Sequence, residues 1–408
     1  MNRFSRQPRG TNVVLLLLLI ASLIGGCTAP GYQRIKPTTL DQAQQEVPED
    51  QLLDIGVAIT EVPELTDKEL EKQGTTEEIR QSESHYIPYH LKNTLQMSSY
   101  WGTVQVIPPE DDSVDLKVTS KLVRSNGEFL QLEIEATDAS GRVWMNRKYL
   151  AKAEVIDYDD TSMGDHEAYQ DLYNTAANDL SAFKRSLTPE QIEEIRTVSK
   201  LKFAASFAPD AYASYIEESG DGSVVVLRLP SDNDPLMVRI DAIRGREQML
   251  IDTLNQYYEG YYMEMWDAYE NWRRYHLTEQ EALRKAQQES LVRLVGGALM
   301  IAAAVALQVG DVSNTGALSG ILILGGGQVV VSGIEVSKQK EIHAAAIQEL
   351  ADSFGTEIRP TVIELEGKRY ELTGTAEEQY THWRELLRQI YFEETGFDPA
   401  SPSAPAST

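Results

Sequence analysis

The chain has 408 residues, 42% hydrophobic and 25% charged, a globular composition long enough for two or three domains. Lys and Arg number 37 against 63 Asp and Glu, and the net charge of −26 argues against a protein that tracks nucleic-acid phosphates by its overall field. One cysteine excludes a disulfide framework and a cysteine-cluster zinc site, and six scattered histidines leave little for a histidine-rich metal centre. No metal, cofactor or nucleic-acid partner is expected.

The amino terminus reads as an address. Arg3, Arg6 and Arg9 precede Val13–Ile24, a run of twelve residues that is apolar apart from Ser22. At ~1.5 Å per residue the run reaches about 18 Å, short of the ~30 Å hydrocarbon core, as in a signal-peptide h-region. Ile24-Gly25-Gly26-Cys27 follows, and this order of basic, apolar, small and Cys resembles the lipobox of bacterial lipoproteins. The resemblance implies cleavage between Gly26 and Cys27, diacylation of Cys27 and acylation of the new amino terminus. Two or more acyl chains anchor stably where one does not. In that family an Asp after the cysteine marks inner-membrane retention. Thr28 stands there, which implies the periplasmic face of the outer membrane. Without residues 1–26 the chain keeps 34 basic and 63 acidic residues, a net charge of −29.

Residues 28–50 are polar, with Pro30, Pro37 and Pro48, so 27–52 reads as the acylated cysteine and its tether. From 53 to 185 the pattern predicts one α/β module. Leu53–Val62 is a buried-type strand; Thr75 and Glu78 fit a capping box opening a helix with Ile79, Tyr86, Leu91 and Leu95 inward. Val104–Ile107, Val114–Val123, Phe129–Ala136 and Val143–Val155 are strands, the second and third alternating with period two, and Tyr169–Phe183 is a closing helix. Helices on one face of a largely antiparallel sheet follow from this order. The stretches DIGVAITEV, LKNTLQMSSYWG, VQVIPP, VDLKVTSKL and ATDASGRVW resemble a small α/β domain shared by several periplasmic lipoproteins. These are the curli secretion channel subunit, an exopolysaccharide-export lipoprotein, penicillin-binding-protein activators and auxiliary lipoproteins of lipid transporters. The resemblance implies a binding and assembly module without catalytic residues.

The region 186–396 is predicted mostly helical, giving an α+β protein overall. Thr188-Pro189-Glu190-Gln191 is a helix start, Val224–Leu229 a strand, and Arg246–Tyr275 a long helix. Thr278 with Glu281 is read as the cap of a further helix, and Ile334–Phe354 as another. Val362–Leu365 and Arg369–Leu372 form a hairpin, and Thr375 with Glu378 caps a last helix carrying Tyr380, Trp383, Leu387, Ile390 and Tyr391. Residues 397–408 read as a disordered tail.

Two features carry the functional expectation. The stretch 294–333 holds an apolar arm, Leu294–Val309, a turn at Gly310–Gly316 and a second apolar arm. Gly296, Gly297, Gly316, Gly320 and Gly325-Gly326-Gly327 permit close backbone approach, so 294–333 reads as an apolar hairpin. Buried core, an interface between copies and membrane insertion all remain open for it. The second feature is aromatic: Tyr258, Tyr262, Trp266, Tyr269 and Trp272, with Met265, lie along one side of a helix. Such rings pack against a partner element or stack on sugars.

Catalytic patterns are weak. Glu193/Glu194 and Asp232/Asp234 are pairs expected in so acidic a chain, and no serine sits in G-x-S-x-G. The glycines at 325–327 are followed by Gln328 rather than Lys and Ser/Thr, so no phosphate cradle is formed. The sequence therefore predicts a non-catalytic, lipid-anchored envelope protein with a protein partner or a second copy of itself, serving an export, transport or surface-assembly machine. A monomeric peptidoglycan- or synthase-binding regulator is the alternative.

Overall fold

The computed structural model describes residues 33–154, 158, 167–306, 341–350, 360–365 and 368–396, with the backbone alone for 33, 289–306 and 365. The α+β class is as expected. Three long strands, β4 (Leu116–Ser125), β5 (Phe129–Asp138) and β6 (Val143–Lys152), form an antiparallel meander. Their alternation puts Leu116, Val118, Leu122, Leu130, Leu132 and Ile134 in a core and leaves Lys117, Lys121, Glu133 and Glu135 towards solvent. β2 (Ile55–Ala58) lies between β4 and β3 (Val104–Ile107), parallel to both, and all four of its residues are buried. A continuous apolar strand is what burial on both faces requires. At the other edge the two-residue β1 (Gln33–Arg34) pairs parallel with β6, giving the order β1-β6-β5-β4-β2-β3. The sheet is thus mixed: two long antiparallel pairings form its body and short parallel ones extend both edges.

Thr66 and Glu69 form a capping box that opens α1 (Asp67–Gln73), a helix the sequence pattern did not single out, and Gly74 at φ 74° ends it. The N-cap of α2 (Glu77–Met97) is Thr76, one residue after the expected Thr75, and its side chain accepts from the Ile79 N–H. Pro88 lies inside α2 and cannot donate to the Ser84 carbonyl. The Thr60 N–H at the end of β2 takes that place at 3.0 Å, so the proline turns a helix defect into a tie to the sheet.

α3 (Gln170–Lys184) and α4 (Pro189–Phe207) follow, the latter with the expected Thr188/Gln191 capping box and Pro189 in its first turn. A short α5 (Pro209–Tyr212) leads to the hairpin β7 (Ile216–Glu218) and β8 (Val224–Val226). α6 (Pro235–Ala306) then runs unbroken for 72 residues, where the sequence suggested separate helices. Thr278 does not cap. Its hydroxyl donates to the Arg274 carbonyl at 2.8 Å, the back-bond that lets a threonine sit inside a helix. A helical segment α7 (341–350), the hairpin β9 (Thr361–Leu365) and β10 (Lys368–Leu372), and α8 (Ala376–Thr395) complete the described chain.

One core lies between the sheet, α2, α3 and α4; the other joins β3, the opposite side of α2, α6 and α8. α2 gives Ile87, Leu91 and Leu95 to the first and Ile79, Tyr86 and Tyr89 to the second. The regions 53–185 and 186–396 therefore share their packing.

The described part of the expected tether, from residue 33, is docked. Asp171, Asn174 and Asn178, successive turns of α3, hold the strap: Thr38 N–H donates to Asp171 Oδ1 (2.8 Å), Asn174 Nδ2 to Thr38 O (2.8 Å), and Asp41 N–H to Asn178 Oδ1 (2.7 Å). Polar composition without periodicity describes an extended strap bonded to side chains as well as it describes a free linker.

Candidate functional site

The far face of α2 is unusual for a buried helix: Arg80, Ser82, Glu83 and His90 are all buried, Arg80 donating to the Pro63 and Leu122 carbonyls and Glu83 and His90 meeting Tyr269 and Tyr262 of α6. Glu83 accepts hydrogen bonds from the hydroxyls of Ser125 on β4 and Tyr269 on α6, and its other oxygen has no partner among the described residues. Burial raises its pKa above the usual carboxylate range, against the opposing pull of those two hydrogen bonds and of Arg80. One turn further along α6, Arg273 donates twice to Glu167, both bonds 2.6 Å, with both side chains removed from solvent. Its guanidinium also lies 4.1 Å over the Tyr269 ring. Burial opposes that charge, but Glu167 and the surrounding phenols hold the Arg273 pKa above its ordinary value.

His90 extends the seam. Its Nε2 faces Gln170 Oε1, an acceptor, and its Nδ1 faces the Tyr262 hydroxyl, each at 2.7 Å. The two contacts fit a neutral ring protonated at Nε2 and accepting from Tyr262 at Nδ1. Burial lowers the His90 pKa in the same sense. Gly127, in the β4–β5 turn, abuts the Arg273 carbonyl so closely that a Cβ there would overlap it. The seam is a closed latch between α6 and the sheet module, not a solvent-facing reaction centre.

An open cleft of about 520 Å³ lies beside it, outside the carboxyl ends of β2 and β3. In open α/β sheets that is where ligands bind. Ile59, Pro109, Gln81, Tyr261, His85 and Glu377 are among the residues lining it. His85 Nε2 stands 3.8 Å from Glu377 Oε1 at the start of α8, and its ring stacks on Tyr258. Burial would raise the Glu377 pKa, but the His85 contact and the helix-start hydrogen bonds lower it below its ordinary value. Ser84 beside His85 is not activated by it. The Ser84 hydroxyl donates to the Gln81 carbonyl (2.6 Å), so towards His85 Nδ1 at 2.9 Å it can only accept.

The aromatic side is buried throughout: Tyr258, Tyr262, Trp266, Tyr269 and Trp272 are each at most 4% exposed. Tyr262 stacks on Tyr86 of α2 at 4.8 Å, and Tyr269 meets the same ring edge-on at 4.7 Å. These rings face α2, so none offers a free face for a sugar. The same burial removes the feature on which the glycan-binding alternative relied.

Gly296 and Gly297 lie within α6; Gly26, Cys27, Gly316, Gly320, Gly325, Gly326 and Gly327 lie outside the described residues. Among the described residues no helix is long and apolar enough to cross a membrane, and no cluster of three or more His, Cys, Asp or Glu could hold a metal ion. Sequence reasoning missed the Glu83–Arg273–Glu167 seam. Glu83 and Arg273 look like two more charges in a charged chain, and only their helical register within the apolar face, Glu83 between Ile79 and Tyr86 and Arg273 one turn after Tyr269, could have marked them.

Comparison with protein families, curated proteins and solved structures finds no match for this chain.

Proposed function

We propose that this chain is a lipid-anchored envelope protein, held by an acylated Cys27 at the periplasmic face of the outer membrane. It acts without catalysis, as an accessory or structural subunit of an export, transport or surface-assembly machine. The observation that carries this reading is the continuity of α6. Its first part is locked into the body by the aromatic seam, by Arg273 and, last, by Arg284 on Glu128. The helix then continues through residues 282–288, every one exposed, to Ala306. Arg284 still donates twice to Glu128 of the sheet module; beyond it, at ~1.5 Å per residue, the helix from Lys285 to Ala306 extends about 33 Å. Its last thirteen residues, Leu294–Ala306, contain no charged side chain. A long arm with an uncharged end suits association with other subunits better than it suits binding a small substrate.

The test is the native mass of a Cys27→Ser variant exported on a cleavable signal. A defined oligomer, or a form that requires detergent, is the expected result. A soluble monomer that matches the acylated protein in partner recruitment would refute the assembly role of the arm.

A further inference from the structure

The docked strap fixes where an anchor on Cys27 must emerge. Between Cys27 and Gln33 there are six peptide units, which reach at most about 20 Å when fully extended. Gln33 pairs with Tyr149 and Arg34 with Leu150, at the edge of the sheet opposite the one that α6 covers. That edge differs in charge from the rest of the chain. Residues 33–40 contain Arg34 and Lys36 and no acid; residues 139–153 contain Arg142, Arg147, Lys148 and Lys152 and no acid. The β1–β6 pairing brings the two stretches together, so six cations line one edge of a protein whose net charge is −26. Among the described residues carboxylates also face this edge: Asp179 meets Arg147 at 2.5 Å and Glu133 meets Lys148 at 2.6 Å. Glu128, 3.8 Å from Lys152, is bonded by Arg284 of α6, Glu135 accepts from Asn146, and Asp41 and Glu154 directly follow the two stretches. Arg34 and Lys36, nearest the anchor, are exposed.

We infer that the β1–β6 edge is the membrane-facing surface of the protein and fits an anionic phospholipid headgroup layer. This rests on the anchored reading of Cys27. The overall negative charge does not oppose it, because surface fields decay over ~8 Å at physiological salt and the bilayer meets the local charge of the edge. A short tether makes the contact effectively intramolecular, so a patch too weak to bind membranes alone becomes occupied. α6 meets the opposite, β3 edge at Asn255, and by Arg284 it has reached Glu128, the carboxylate that also faces Lys152.

The experiment uses the full acylated protein reconstituted into vesicles of phosphatidylcholine alone or mixed with phosphatidylglycerol. A water-soluble amine reagent labels accessible lysines, read by peptide mass spectrometry, which also reports the mass of the Cys27 peptide. Lys36, Lys148 and Lys152 are expected to lose labelling by about fivefold in the anionic vesicles, the factor one basic residue contributes near such a surface. Lys68 and Lys72 on α1, at the end of the sheet that carries the β4–β5 turn, serve as controls and keep their labelling. The pair Arg34→Glu and Lys36→Glu, both exposed positions, should restore labelling at Lys148 and Lys152. Acylated Cys27 with equal labelling of all five lysines in both vesicle types overturns the edge assignment alone. An unmodified Cys27 overturns the anchor and the edge together.

Discussion

Removing the Arg273 guanidinium is the most direct test of how α6 is held. In Arg273→Ala the two 2.6 Å bonds to Glu167 are lost, and with them the contact over Tyr269. Glu167 is 3% exposed and would be left as a buried carboxylate without its cation. Breaking one partner of a buried pair costs about 3–5 kcal/mol, most of it the stranded charge rather than the net worth of the pair. Glu167→Gln should therefore be milder than Arg273→Ala, and Arg273→Met combined with Glu167→Leu milder than the sum of the corresponding single changes. Urea unfolding followed by tryptophan fluorescence reads this well, because Trp266 and Trp272 sit on α6 and Trp101 and Trp144 on the sheet module. A single transition moved to lower urea is expected. A loss below about 1 kcal/mol for Arg273→Ala, the range of an exposed pair, would refute the latch. So would tryptophan signals from α6 and the sheet that unfold in separate steps.

Other predictions follow the same contacts. Glu83 has a raised folded pKa, so its contribution to stability is fully present below the unfolded carboxylate pKa and fades as pH rises through the folded value. Glu83→Gln should therefore gain on the wild type as the pH is raised from 5 to 8; parallel urea midpoints across that range would count against the assignment. Asn255 on α6 donates to the Val106 carbonyl and accepts its N–H, both at 2.8 Å, closing the β3 edge as a strand would. Asn255→Ala strands those two backbone groups and should cost about 1–3 kcal/mol, whereas an unchanged urea midpoint would mean the edge is satisfied some other way. Gly127→Ala forces a methyl onto the Arg273 carbonyl and should destabilise by about 1–3 kcal/mol through overpacking; a neutral effect in thermal unfolding would contradict the close approach. Asn174→Ala with Asn178→Ala should raise hydrogen exchange in residues 36–42 and leave β4 and β5 protected, and uniform protection would show that the strap does not depend on α3.

Local chemistry made much of the fold legible. The capping boxes at Thr188/Gln191 and Thr375/Glu378 start helices where the sequence says they do, and the alternation in β4 and β5 gives the buried face correctly. What failed was chemistry with two local solutions. Thr75 and Thr76 can each cap a helix, and the chain uses Thr76 while Thr75 is buried. Thr278 with Glu281 reads as a cap, but a hydroxyl that finds the i−4 carbonyl leaves the helix unbroken. The aromatic side of α6 was visible as a pattern, and packing on a partner element was one of its two readings. That the partner is α2 was not visible, because one inward side of α2 was expected and the polar Glu83 and His90 hide the second. The candidate cleft was not legible at all: His85 and Glu377 are nearly three hundred positions apart and meet only through the packing of α8 against α6 and α2.

The strap alters what an acyl anchor would accomplish. A free linker from Cys27 to Leu53 would let the body sample every orientation, with a mean span of about 5–6 Å times the square root of its length. With the strap docked from Gln33 onward, only six peptide units separate it from Cys27. An anchor of that length would set position as well as attachment: it would hold one edge of the sheet near the lipid, while α6 runs from the opposite edge at Asn255 to Glu128 at Arg284. The rigidity of the latch then has a purpose that stability alone does not explain. A 72-residue helix can present its uncharged end at a defined place only if its base cannot swivel. Glu83, Tyr269, Arg273 and Glu167 supply that fixity with geometry-dependent bonds where an apolar seam of equal area would tolerate sliding. Replacing the seam by leucine and methionine should accordingly preserve folding while broadening the distances between spin labels on α6 and the sheet. Unchanged distance widths would mean that the aromatic packing around Tyr86 and Tyr262 fixes the helix by itself.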